Sequence, residues 1–353
     1  MPGKIIKSSS YEKLQRLQTT LFQNPKNARA GIVQQQLGAD IGFGGLQCLS
    51  DNPSDYKLIL DFMRSPDKLM KSQLLLSGYD ESIFQYSSLE GNLRAYAHCI
   101  NNLSNKLDEY VPVIFLSLGF FTASKLLVDA NHDIGGMIHE VHGDGEKEST
   151  NIGDEERFDF LKNHSERDSI LFIDGPIFTG ASTSYNYRLS EQLPEKNCFP
   201  VFVVKNSNSD IITSKFNFGY NNDLHWAYNV LPTQSRTAYF RYSSETKTGS
   251  AKRTKVFCYL KPGSTQSPCR VEMSENVYNE LKASQIDGTT LLELIEQTIV
   301  YQFILNGLKR NNQIRIIEVA EMYAREALKS THIYQLADQF GLTATMNESR
   351  GFN

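Results

Sequence analysis

Apolar and polar positions change texture along the chain near residue 111. Upstream, YEKLQRLQTTLF (11–22), SDYKLILDFMRS (54–65) and LEGNLRAYAHCINNLSNKL (89–107) carry apolar residues at helical spacing, and the last sets Leu93, Tyr96, Ile100 and Leu103 on one stripe. Residues 1–110 therefore read as a mainly helical N-terminal region. The Gly-rich stretch LGADIGFGGLQ (38–47) lacks the Lys-Ser/Thr of a P-loop and the GxGxxG spacing, so it reads as a plain loop.

From 111 the pattern turns to strands. VPVIFLSLGFF (111–121) is the nearly continuous apolar run of a strand buried on both faces. KLLVDANHD (125–133) and GGMIHEVHG (135–143) follow as strands, with a Gly pair marking the turn between them. GDEERFDFLKNH (153–164) predicts a helix whose acidic start suits the helix dipole. SILFIDG (169–175) is a fourth strand ending at Asp174, and FPVFVVKNSNSD (199–210) a buried strand closing at Lys205. TAYFRYSS (237–244), TKVFCYLKPG (254–263) and PCRVEMS (268–274) alternate like antiparallel strands. Two helices close the chain, TTLLELIEQTIVYQFILNG (289–307), opened by a Thr290–Glu293 capping box, and QIRIIEVAEMYAREALKS (313–330).

Three strands, a helix and a fourth strand ending in an acid form the start of a ribonuclease-H-like fold. The expected class is α/β: a ribonuclease-H-like mixed sheet over about 111–262 within a domain of 111–353, C-terminal helices included, after the helical N-terminal region. The 353 residues suffice for a large core. No apolar run approaches the ~18 residues of a membrane span, and the N-terminus lacks the apolar stretch of a signal peptide. Cys48, Cys99, Cys198, Cys258 and Cys269 form no CxxC, which points to reduced thiols in a cytoplasmic protein. With a net charge of −4, contact with a nucleic acid would need a local basic surface.

Enzymes of ribonuclease-H build hold divalent metals between carboxylates of the first strand, the helix and the fourth strand. Phosphodiester cleavage needs an activated water and charge neutralisation on the leaving oxygen, and paired metals roughly 4 Å apart supply both. Hard cations such as Mg²⁺ and Mn²⁺ take carboxylate oxygens.

ILFIDGPIF (170–178) followed by VFVVKNSNSD (201–210) resembles the NurA nuclease family, in which an apolar strand ends in Asp-Gly-Ser/Pro-Leu/Ile and a later one in Ser-Lys-x-Ser-x-Ser. TAYFRYSS and PCRVEMS resemble the family's antiparallel strands, and IIEVAEMYA its closing helix, so the resemblance spans about 111–345. It implies a metal-dependent DNA nuclease using Mn²⁺ or Mg²⁺. It also implies a homodimer seated on a HerA-like hexameric ATPase, in DNA end processing, repair or phage defence. Carried over, Asp174 is the fourth-strand metal ligand and Glu155 or Glu156 the helix acid. Lys205 stands beside the same edge to meet a phosphate. Glu321 occupies the place of the family's histidine and remains a ligand for a hard metal. The aligned first strand, VIFLSLGFF, carries Ser117 where an acid is required. Either Asp129 or Asp80 supplies that acid, or the metal site is degraded and the chain is a non-catalytic subunit of a DNA-translocating complex.

Two further readings stand beside this one. FIDGPIFTGAST resembles a phosphoribosyltransferase loop, with Thr179, Gly180, Ala181 and Ser182 as the phosphate turn; Gly175 replaces the second acid, and Pro176 removes an amide. In the tail, Ile299, Val300, Phe303 and Ile304 exceed one buried stripe, which suits either a dimer face or the protein's own core.

Overall fold

The computed structural model describes residues 45–87, 91–103, 109–129, 138–141, 145–178, 183–244, 253–264, 266–306 and 313–331. The expected helix at 11–22, residues 38–44 of the glycine-rich loop and the 179–182 phosphate turn lie outside them.

The elements run β1 (Gly45–Cys48), β2 (Tyr56–Leu58), α1 (Ser65–Ser72), β3 (Leu75–Ser87), β4 (Asn92–Leu103), β5 (Tyr110–Thr122), α2 (Lys125–Asp129), β6 (Ile138–Glu140), α3 (Gly145–His164), β7 (Ser169–Asp174), α4 (Thr183–Gln192) and β8 (Cys198–Val204). They continue with α5 (Ile211–Phe216), α6 (Asp223–Val230), β9 (Ser235–Thr237), β10 (Phe240–Ser244), β11 (Arg253–Lys261), β12 (Cys269–Ser274), α7 (Glu275–Ala283), α8 (Leu291–Leu305) and α9 (Arg315–Ser330). One mixed sheet takes the order β1-β10-β11-β12-β8-β7-β3-β4-β5-β6, with β2 and β9 attached at its side. Within it β3, β4 and β5 form an antiparallel meander, and β7 and β8 run parallel to β3. This is the α/β ribonuclease-H-like arrangement, entered through β3 rather than β5.

Three element assignments change as a result. The segment expected to be a helix at 89–107 is strand β4. Every residue from Leu93 to Leu103 is buried, so the strand shows no alternation and its apolar positions fall by coincidence on a helical stripe. The segment expected to be a strand at 125–133 begins as α2, where Thr122 Oγ1 accepts the Ser124 N–H at 3.0 Å and turns the chain. The expected helix at 54–65 is strand β2 and a short 3-10 turn at Phe62–Arg64, with α1 starting at the following Ser-Pro. The sheet therefore draws its first two core strands from upstream of residue 111.

The two faces of the sheet are covered by different helices. Tyr79, Ile100, Leu171 and Ile173 pack with Phe158 and Leu161 of α3 and Trp226 of α6. On the other face Leu76, Ile170, Phe172 and Val201 pack with Ile299 and Phe303 of α8 and Ile316 of α9. Each such large side chain, fully buried, contributes roughly 1.5–3 kcal/mol. Ile299, Val300 and Phe303 are thus core residues of the protein, and only Ile304 of these four is exposed. The capping box forms as expected, Thr290 Oγ1 accepting from Glu293 N–H and Glu293 from Thr290 N–H. No helix among the described residues is long and apolar enough to cross a membrane.

Candidate active site

Asp174 ends β7 because Gly175, at φ +92°, turns the chain out of the sheet in a conformation that a side chain would strain. Alternation along β7 sends Ile173 toward α3, and so Asp174 toward the α8–α9 face. Strand β3 pairs with β7 in parallel from Leu75–Ser169 to Tyr79–Ile173. One further step along that ladder sets Asp80 beside Asp174 on the same face, on strands about 4.8 Å apart. Lys205, just past β8 on the far side of β7, places Nζ 3.3 Å from Asp174 Oδ2.

Helix α9 lies over this group. A Cβ on Gly78 would stand 2.7 Å from the Ile316 backbone, so only glycine lets the helix settle this closely on β3 two residues before Asp80. Its start is fixed by the Ile316 N–H bond to Gln302 Oε1 (3.0 Å), while Gln313 Nε2 donates to Asp174 Oδ1 (3.2 Å). Glu321, one turn further along α9 and paired with Arg325, adds its field to Asp80.

Asp80 is 8% exposed. Burial first, and the Asp174 carboxylate second, push its pKa up to about 8, against the Glu81 N–H bond and the Lys205 ammonium, which pull the other way. Two carboxylates sharing a desolvated corner with one lysine carry more negative charge than the protein offsets, and such a group attracts a cation or holds a proton. The donor set suits a hard divalent cation. Besides the carboxylates, Gln313 Oε1 is a buried amide oxygen with no hydrogen-bond partner. No three His, Cys, Asp or Glu side chains among the described residues already stand together as a ligand set.

The structure thus gathers Asp174 and Lys205 beside Asp80, with the charge of Glu321 felt there from α9, and leaves the other candidates elsewhere. Strand β5, with Ser117, is the third strand of the meander, and the first-strand position belongs to Asp80 on β3. The missing acid of VIFLSLGFF followed from that shifted strand assignment. Ser117 Oγ instead donates to Glu156 Oε2 at 2.6 Å. Glu156 and the exposed Glu155 sit on α3, whose Phe158 and Leu161 pack on the face opposite Asp80 and Asp174. Asp129 is exposed in α2, beyond the end of β5 that pairs with Asn92, whereas Asp80 pairs with Cys99. Gln313 carried no sequence signal, being one polar residue at a helix start. A cavity of about 220 Å³ lies beside α3 between Phe115, Glu156, Phe160 and His164, away from Asp174.

Comparison with known proteins bears on the family and the fold. The NurA domain matches residues 89–323. The crystal structure of the NurA nuclease from Sulfolobus solfataricus is similar in fold, with 9% identity, a TM-score of 0.50, and 95% of this chain and 98% of that one covered. A second NurA crystal structure aligns at 6% identity and a TM-score of 0.41, covering 91% of this chain and 94% of that one. An endonuclease V from Bacillus subtilis aligns at 10% identity and a TM-score of 0.39, covering 80% and 97%. No curated protein sequence matches the chain. With the family domain spanning well over half of its length, the chain belongs to the NurA family of nucleases.

Proposed function

We propose that this chain hydrolyses phosphodiester bonds of DNA at the strand-end cluster of Asp80, Asp174, Lys205 and Glu321, with Mn²⁺ or Mg²⁺ as cofactor. The observation that carries the reading is the placement of Asp80 beside Asp174 on one face of the sheet, in excess of the neutralising charge around them. Asp80 and Asp174 would hold the metal, with Glu321 the third carboxylate. When bound, the ion supplies an activated water and charge neutralisation at the leaving oxygen.

The chain's own groups do the rest. Gln313 Nε2 orients the Asp174 carboxylate by its hydrogen bond to Oδ1 and leaves Oδ2 toward Lys205. The Lys205 ammonium, 23% exposed at the end of β8, is placed to pair with a backbone phosphate once Asp174 is engaged elsewhere. Burial of Asp80 keeps water competition low, so each charge acts through a low effective dielectric.

A net charge of −4 gives the isolated chain weak affinity for DNA, since Lys and Arg neutralisation of phosphates dominates such binding. In our reading a HerA-like hexameric ATPase delivers the DNA to a homodimer of this chain, in end processing, repair or phage defence. The test incubates the pure protein with linear and circular DNA, with Mn²⁺, Mg²⁺ or EDTA, and with or without the ATPase. Metal-dependent cleavage that the ATPase accelerates is expected; cleavage undiminished in EDTA would overturn the metal assignment.

A further inference from the structure

Strand β12 buries more charge than a sheet interior usually tolerates. Glu272 and Lys255 are fully buried and Arg270 is 2% exposed. Glu272 Oε1 accepts a hydrogen bond from Lys255 Nζ at 2.9 Å and forms an ion pair with Arg270 Nε at 2.6 Å. Desolvating three charges costs about as much as their attraction returns, so such a cluster is a poor source of stability. Its remaining hydrogen bonds show where it acts. Glu272 Oε2 accepts the Ile177 N–H at 2.8 Å, in the turn directly after Asp174. Arg270 Nη1 donates to Ser207 Oγ at 2.6 Å, in the loop directly after Lys205. Ser207 Oγ in turn accepts the Ser209 N–H at 3.3 Å, and Ser209 Oγ donates to Asp223 Oδ2 at 3.1 Å.

The geometry points to Glu272 and Arg270 as positioning residues: one ion pair grips the turn that follows Asp174 and the loop that follows Lys205, and so fixes the spacing of the two strand ends. This assignment rests on the nuclease reading above. Strand β12 is suited to the task because it pairs with β8 at Arg270–Val204 and Glu272–Phe202, directly beside the loops it holds. Lys255 supplies the counter-charge that leaves Glu272 Oε2 free for the Ile177 amide, and its ammonium lies 5.0 Å from the Phe178 ring centre, which packs the same turn.

Two variants test the clamp, each read by steady-state cleavage of linear DNA with Mn²⁺ and by peptide-level hydrogen exchange. The apolar replacement K255M/R270M/E272L removes the charges at similar volume. It is expected to keep its Tm and KM for DNA while kcat falls about 10-fold or more, as loosened catalytic groups do. Exchange should rise at 175–178 and 205–209, with β7 and β8 still protected. Ser207→Ala cuts one arm only and should speed exchange at 205–209 alone, with a smaller loss of kcat. Unchanged exchange in both loops, or a loss of kcat that merely follows a fall in Tm, overturns the clamp. If the triple variant does not fold, Ser207→Ala decides by the same exchange criterion. If the wild-type protein cleaves no DNA, the nuclease reading fails, and the exchange measurements still decide whether the loops are held in this way.

Discussion

Asp80 and Glu81 are neighbours on one strand, point to opposite faces of the sheet, and meet opposite fates. Burial alone would raise Glu81, but the hydrogen bond from His98, the charge of Arg157 and the Tyr79 hydroxyl outweigh it and hold its pKa down at about 2. Burial first and a second carboxylate next raise Asp80, against the adjacent backbone N–H and the charge of Lys205, and its pKa stands at about 8. A carboxylate surrounded by its own donors is a fixture of the fold. One forced against another acid is poised for chemistry, and that difference separates the two faces more clearly than any motif.

The contrast breaks most severely at Asp174. Asp174→Ala should lower metal-dependent DNA cleavage by about 10³-fold or more, since it removes one of two adjoining carboxylates from the site, with a circular dichroism spectrum like that of the wild type. Cleavage near the wild-type rate would place the chemistry elsewhere.

Next in size is the seat of α9. Gly78→Val would drive a side chain into the Ile316 backbone and lift the helix that carries Glu321, at a cost of about 2–4 kcal/mol in urea unfolding. An unchanged midpoint would mean that the helix does not depend on the close approach.

How much of this could be read from the sequence follows the same line between the faces. Strand β7 was legible because SILFID is apolar throughout and stops at an acid and a glycine, and α8 because its capping box is a local pattern. Strand β4 was not: full burial erases the alternation by which strands are recognised, and without β3 and β4 the fold reads as starting at β5. The sequence does not separate Asp80 from Asp129, because the place of Asp80 depends on the register between β3 and β7, which the sequence does not print. The resemblance points to Glu155 or Glu156 as the helix acid, although their helix lies across the sheet from Asp174.

Stability sharpens the comparison at smaller amplitude. Glu81→Gln should cost about 1–2 kcal/mol at pH 7.5, because Tyr79 and His98 lose a charged acceptor. Asp80→Asn should instead stabilise the metal-free protein, by removing a carboxyl whose ionisation the folded state opposes. Midpoint shifts of opposite sign in denaturant would be the clearest form of this result; destabilisation by both would erase the distinction.

The comparison also appears as a slope in pH. Because the pKa of Asp80 is raised on folding, its contribution to stability is fully present below about pH 4 and is lost as pH climbs toward about 8. Glu81 contributes above about pH 4.5, and that contribution is lost only as pH falls toward about 2. Without divalent metal, the Tm of the wild type should therefore fall between pH 5 and pH 8, more than that of Asp80→Asn. Parallel curves would show that Asp80 is already ionised throughout.

The most direct measurement compares two single substitutions of adjacent acids in one assay: initial rates of linear DNA cleavage by Asp80→Asn and Glu81→Gln in Mn²⁺, at a temperature where both are folded. The account predicts that Asp80→Asn loses about 10²-fold or more, whereas Glu81→Gln stays within about threefold of the wild type. A Glu81→Gln variant that is dead beside an active Asp80→Asn would contradict it and move the active site to the other face of the sheet.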